Sequence, residues 1–255
     1  MLIIRRKKHG INFIKVWWAE EELQEQGIIQ YHQAKGEWAS HLDGAVRYDT
    51  LVNNISGDDD SIKSFFSKSC KYKVNRASRE EVDIKIYDSS DITDEMIEEF
   101  LDFFEEFWNS KDIELKEKDS LRIDLKEYRD NAALTLAIGY VSGEKAIYHT
   151  HVYDSTRARL LHSASLYRLK SDEEGSTKNV IGMANRFLHY REMLFFRDKG
   201  LTEYDWGGAG RGEDVINITE FKESFGGEPE TDMDLEVTRG CMAHLFRLAV
   251  RILRR

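Results

Sequence analysis

The chain has 255 residues, a formal net charge of −10, one proline, two cysteines, 41% hydrophobic and 11% aromatic residues. That composition supports a packed core in one large or two small domains and excludes a disordered chain. The acidic balance excludes a general nucleic-acid binder, whose phosphate contacts need basic surface, while leaving room for a local basic groove. Cys70 and Cys241 stand alone and far apart, so no disulfide framework is expected. The basic Met1–Gly10 stretch is not followed by a signal-peptide core, and no apolar run approaches the roughly 20 residues of a membrane span. A cytoplasmic protein is the expectation.

In chain order, residues 1–57 read as a strand-rich N-terminal portion with extended pieces at Leu2–Ile4, Phe13–Trp18, Ile28–Tyr31 and Ala45–Leu51. The turn-rich Ser56-Gly57-Asp58-Asp59-Asp60 cluster marks a boundary, with residues 58–255 as the larger domain. Ile62–Val74 is expected as one helix and Val82–Tyr87 as a strand. Asp94–Trp108 is an amphipathic helix with Met96, Ile97, Phe100, Leu101, Phe104 and Trp108 recurring at helical spacing; its acidic side reads as a solvated surface. Three strand-like runs, Ala132–Val141, Ala146–Tyr153 and Ala158–Tyr167, are separated by turn residues and predict an antiparallel meander. A helix from Asn179 to Lys199 stops at Gly200; a strand, Leu201–Trp206, and a helix near Ile218–Ser224 follow. The order is that of an α+β (mixed α/β) fold, in which a helix crossover lets the later strand lie parallel to the meander. Met242–Arg255 sets Leu245, Leu248, Ala249, Ile252 and Leu253 against arginines, a basic amphipathic helix suited to peripheral contact with an anionic membrane or to packing on its own domain or a dimer partner. The sequence carries no sign of oligomeric state.

The run Gly200-Leu-Thr-Glu-Tyr-Asp205-Trp-Gly207-Gly208, followed by Phe221-Lys222-Glu-Ser-Phe225-Gly226-Gly227, resembles the end of FemAB-like aminoacyltransferases and of the related CelD-like GNAT domains. A weaker echo lies in Tyr48-Asp-Thr-Leu-Val and in Phe65-Phe-Ser-Lys68 with Lys73-Val-Asn-Arg76-Ala77. The resemblance implies a GNAT-like fold, with the N-terminal portion a truncated companion half. It implies transfer of an acyl or aminoacyl group to an amine, or a hydroxyl, of a cell-envelope peptide, sugar or polysaccharide precursor, which can be lipid-linked. The implied donor is acetyl-CoA or another acyl-CoA, with aminoacyl-tRNA as the alternative. A non-catalytic GNAT-like scaffold that binds a partner or precursor is the rival.

On that resemblance Lys222, beside Phe221 at the acceptor, stabilises charge on the acyl or leaving group. Asn179, Val180, Ile181, Gly182, Met183 and Ala184 stand where coenzyme-A-dependent members hold a pyrophosphate at a helix N-terminus, although Asn179 replaces the usual Gln or Arg; an ordinary Asn-capped helix is the other reading. Asp205 either accepts a proton from the amine or caps the turn at Gly207-Gly208. Arg211, in a glycine loop, can reach a phosphate or carboxylate. Tyr167 stands where the family often has an aromatic near the acceptor. Pairing Tyr153 with Ala158 across the Asp154–Arg157 turn puts His149 opposite His162, and His151 shares the face of His149. Such imidazoles can act as a general base or contact substrate. No metal is expected, because no carboxylate or cysteine is close in sequence to complete a site.

Overall fold

A computed structural model describes residues 1–115, 117–168, 175–209 and 216–253. The chain begins with β1 (Leu2–Lys8), β2 (Ile11–Trp17), β3 (Gly27–Ala34), a short helix α1 (Glu37–Ser40) and β4 (Val46–Asn54). Helices α2 (Asp59–Ser64) and α3 (Lys68–Ala77) follow, then β5 (Val82–Asp88), α4 (Asp94–Asn109) and α5 (Lys118–Asp130). The meander is β6 (Leu134–Val141), β7 (Glu144–Tyr153) and β8 (Arg157–Ser165). After it come α6 (Gly175–Asp198), β9 (Glu203–Gly208), α7 (Ile216–Glu223), β10 (Glu228–Arg239) and α8 (Cys241–Leu253).

Two compact units result: Met1–Thr50 with Pro229–Arg255, and Leu51–Glu228. The sequence division at residue 57 puts the C-terminal segment with the larger domain, and the structure groups it differently. The reason is β10, which the sequence reading missed. It pairs antiparallel with β3, with Val237 opposite Ile29 and Leu235 opposite Tyr31. In this first unit β1 and β2 form an antiparallel hairpin and β2 runs parallel to β3. Ile14, Val16, Ile29, Tyr31 and Leu235 fill its core.

In the second unit the strands run in the order β4 (from Leu51), β9, β8, β7, β6, β5. The meander forms as expected, Tyr153 facing Ala158 across the turn. Helix α6 crosses over, and β9 returns parallel to β8. Buried Leu188, Met193 and Phe196 of α6 anchor it in the core, each side chain contributing about 1.5–3 kcal/mol by leaving water.

Two helical expectations change. Ile62–Val74 breaks into α2 and α3 because the Ser67 hydroxyl accepts from the Cys70 N–H and starts a new helix. The acidic side of α4 is not simply solvated, since α5 lies against it. Arg122 pairs with Glu98, Lys118 with Asp102 and Glu105, and Lys126 and Arg129 with Asp94.

The glycine motif is architectural. Gly226 has φ +77°, and a Cβ there would meet the Phe65 carbonyl oxygen at 2.3 Å. Neither the conformation nor the space admits a side chain. Gly226→Ala should therefore lower stability by about 2–4 kcal/mol in urea denaturation; a loss below about 0.5 kcal/mol would show that the segment is not held this tightly. Asn53 joins the two halves of the C-terminal signature. Its amide donates to the Phe225 carbonyl at 2.8 Å and accepts from the Trp206 indole at 2.7 Å.

Candidate active site at the end of strand β9

Parallel pairing between β8 and β9 lasts for three residue pairs and ends at Arg159 and Asp205. Immediately beyond, β8 carries a bulge. Thr150 faces His162 while His151 faces Leu160, so Leu161 is the extra residue. A bulge bends its strand, and here it coincides with the end of the parallel pairing, from which β9 runs on as Trp206-Gly207-Gly208.

Lys222 of α7 lies at that end of β9. Its ammonium donates to the Gly208 carbonyl at 2.6 Å and to that of Gly207 at 3.4 Å, and the residue is 9% exposed. Burial pushes its pKa down from 10.5 to about 8; Asp205 opposes this shift and Arg159 adds to it. An ammonium has three N–H donors, and among the described residues this one meets two acceptors. Phe221, next to it, packs against His189 and Trp206, and the Arg186 guanidinium lies 4.5 Å over its ring.

Asp205 is fully buried. One carboxylate oxygen, Oδ2, accepts from Arg157 Nε at 2.9 Å and lies 2.7 Å from Nη2; the other, Oδ1, accepts the Gly207 N–H at 2.8 Å. Both proposed sequence roles concerned this carboxylate, and the geometry matches the turn cap. The Asp205 side chain is closed to solvent.

The histidines part company. The bulge turns His162 to the opposite face from His149, where it meets Phe100 and Phe104, its Nδ1 2.7 Å from the Thr150 hydroxyl. Burial lowers its pKa to about 3, so it stays neutral. His149 and His151 do share a face, but both are fully buried and meet groups from α6 and β9 rather than an opening. His149 Nδ1 lies 2.7 Å from Glu192 and Nε2 2.9 Å from Asn185. His151 Nε2 and His189 Nδ1 lie 3.1 and 2.8 Å from the Tyr204 hydroxyl, which donates to Glu192 at 2.9 Å. Burial, with His149 adding to it, lowers the His189 pKa to about 3. Against its own desolvation, the Glu192 carboxyl is held well below its ordinary range by His149 and His151.

This network supplies the carboxylate that the local sequence lacks. Donor atoms of His149, His189 and Glu192 lie within 4.8 Å of one another. The His149 and His189 rings, however, stack at 4.2 Å with 25° between planes. Imidazole lone pairs lie in the ring plane, so two stacked rings direct them nearly parallel and not toward one ion. A hydrogen-bonded core network fits these residues better than a metal centre. Asn185, His189 and Glu192 were missed from sequence, yet their i, i+4, i+7 spacing marks one stripe of a helix. Tyr204 lies within the C-terminal signature, whereas Arg157 carries no comparable signal.

Asn179–Ala184 does not begin its helix. Since α6 starts at Gly175, the N–H groups of these residues lie beyond the first turn and are spent on carbonyls four residues back. Gly182 is also covered: the Tyr167 ring lies 3.6 Å from where its Cβ would be. Tyr167 itself is 44% exposed, the most accessible of the aromatic and histidine candidates, with the Lys178 ammonium 5.7 Å from its ring. Arg211 lies outside the described residues.

No family model and no curated sequence matches the chain. Solved structures do. FemX superposes with a TM-score of 0.59 at 12% identity over 78% of this chain, which spans 63% of the FemX chain. The C-terminal domain of a provisionally named lysylphosphatidylglycerol synthetase from Agrobacterium fabrum gives 0.56 at 12% identity, covering 98% of this chain and 84% of its own. L-PGS from Bacillus licheniformis gives 0.51 at 12% identity over 99% and 86%. The likeness establishes a GNAT-like mixed α/β fold.

Proposed function

From the GNAT-like fold and the buried lysine at the end of β9, we propose that this chain is an acyltransferase in which Lys222 stabilises negative charge on the reacting group. The carrying observation is the Lys222 ammonium, desolvated and fixed by two backbone carbonyls, with three N–H donors and two acceptors among the described residues. A preorganised cation of this kind costs no reorganisation when charge develops.

The donor class that fits is an aminoacyl ester, with aminoacyl-tRNA as its form, rather than acyl-CoA. The segment expected to hold a coenzyme A pyrophosphate lies inside α6, and Tyr167 covers Gly182. The neighbour provisionally named a lysylphosphatidylglycerol synthetase supports an aminoacyl donor. In the reaction, the acceptor amine attacks the ester carbonyl carbon. A C–N bond forms, the C–O bond breaks, and the departing oxygen takes the proton that the amine releases. Lys222 donates a hydrogen bond to the developing oxyanion. In this reading Asp205 and His149, sealed in the core, serve as supports, and exposed Tyr167 contacts the acceptor, with Phe221 holding Lys222 in place beside it. That acceptor is a cell-envelope peptide, sugar or lipid carrying an amine or hydroxyl.

One observation favours a second reading, a non-catalytic scaffold: the side chain over Gly182. The test is release of label from a tRNA pool charged with labelled amino acids, with an envelope fraction as acceptor, beside calorimetric titration with acetyl-CoA. Transfer of label and no coenzyme A binding at millimolar ligand are expected. Tight acetyl-CoA binding without label transfer would overturn the donor assignment; neither response would favour the scaffold.

A further inference from the structure

In the first unit, α8 packs on the sheet with only part of its apolar surface. Ala243 is buried and Phe246 packs with Ile11, Phe13 and Ile28, its ring edge-on to Phe13 at 5.8 Å. At about 100° per residue, Met242, Leu245, Leu248 and Ala249 occupy a neighbouring arc that points away from that contact. Met242, Leu245 and Leu248 are 63%, 65% and 57% exposed. His244 and Arg247 complete the turn and are exposed as well.

Cations border this stripe. Residues 1–19 and 237–255 contain no Asp or Glu, in a chain whose net charge is −10. Arg5–Lys8 of β1 are all exposed. Arg5 pairs with Glu25 and Arg247 with Glu236. Arg6 faces Phe13 in the hairpin register and its guanidinium lies 5.8 Å from that ring, which places it on the sheet face that carries α8. Lys8, two residues on, shares that face. The hairpin tip also reaches the stripe, a Cβ at Gly10 lying 3.6 Å from the Met242 methyl.

We propose that the outer face of α8, together with the basic end of β1, docks this protein on an anionic lipid bilayer. The apolar stripe enters the boundary between headgroups and acyl chains, and Arg6, Lys8 and Arg247 meet lipid phosphates. Symmetric pairing of this face with a second copy is disfavoured, because it would bring basic borders together without a counter-charge. The proposal stands independently of the transfer chemistry.

The experiment is co-sedimentation of the full chain with phosphatidylcholine vesicles, with and without phosphatidylglycerol as the anionic component. Binding only to the anionic vesicles, weakening with added salt, is expected. Leu245→Glu with Leu248→Glu, both at exposed positions that leave the fold intact by circular dichroism, should weaken it at least about tenfold. Arg6→Glu with Lys8→Glu should do so by a similar factor. Absence of wild-type binding to anionic vesicles overturns the proposal, as does binding that the leucine pair leaves unchanged. A dimer in solution that the leucine pair dissolves, without vesicle binding, overturns it in favour of self-association.

Discussion

Lys222→Met is expected to lower the single-turnover transfer rate by about 10²–10³-fold, the usual consequence of removing one preorganised donor from a developing oxyanion. The protein should remain folded. Methionine keeps the length of the side chain and removes an ammonium that burial already disfavours, so the melting temperature should hold or rise. The pH dependence has a definite sign. With its pKa lowered to about 8, the folded lysine carries its charge below that pH and loses it above, so the rate it supports declines above about 8. The unfolded lysine keeps its proton to 10.5. Between these values the unfolded chain binds more protons, and this group's contribution to stability rises with pH. Activity and the stability contribution of Lys222 thus move in opposite directions between pH 8 and 10.5. Lys222→Met should remove both trends, and a wild-type rate still climbing at pH 10 would contradict the role given to the ammonium.

Asp205→Ala should cost about 3–5 kcal/mol in denaturant titration, because it removes the nearest counter-charge of the fully buried Arg157 guanidinium and leaves it the more distant Glu203 at 3.5 Å. Asp205→Asn keeps an acceptor for the Gly207 N–H but withdraws the charge, so most of that cost remains. Loss of activity in either variant should follow the unfolded fraction and recover under a stabilising osmolyte. A folded, stable and inactive Asp205→Asn would instead restore the reading of Asp205 as a proton acceptor.

Sequence periodicity made the meander, the crossover helix and the returning strand legible, since each is a long run of one period. The C-terminal signature was legible as a likeness, while its physical basis needed coordinates. Gly226 is required by the backbone of Phe65, and Asn53 ties Trp206 to Phe225, both from far upstream in the chain. The histidine face failed at one residue. Leu161 bulges, and with a side-chain period of two a single insertion sends His162 to the other side of the sheet. The core network was invisible between neighbouring strands because its carboxylate comes from α6. A reader who took the Asn185, His189 and Glu192 stripe as buried would have found it. Charge misled at α4, whose acids read as solvated because α5, their partner, was overlooked although Leu121, Leu125 and Tyr128 mark its stripe at i, i+4 and i+7.

The most direct test of the transfer chemistry compares wild type and Lys222→Met side by side for single-turnover transfer from a charged tRNA pool to an envelope fraction at neutral pH. Label transfer by the wild type, with the variant about 10²-fold slower or more at an unchanged melting temperature, is the predicted result. No transfer by the wild type, or equal rates for the two proteins, would contradict it.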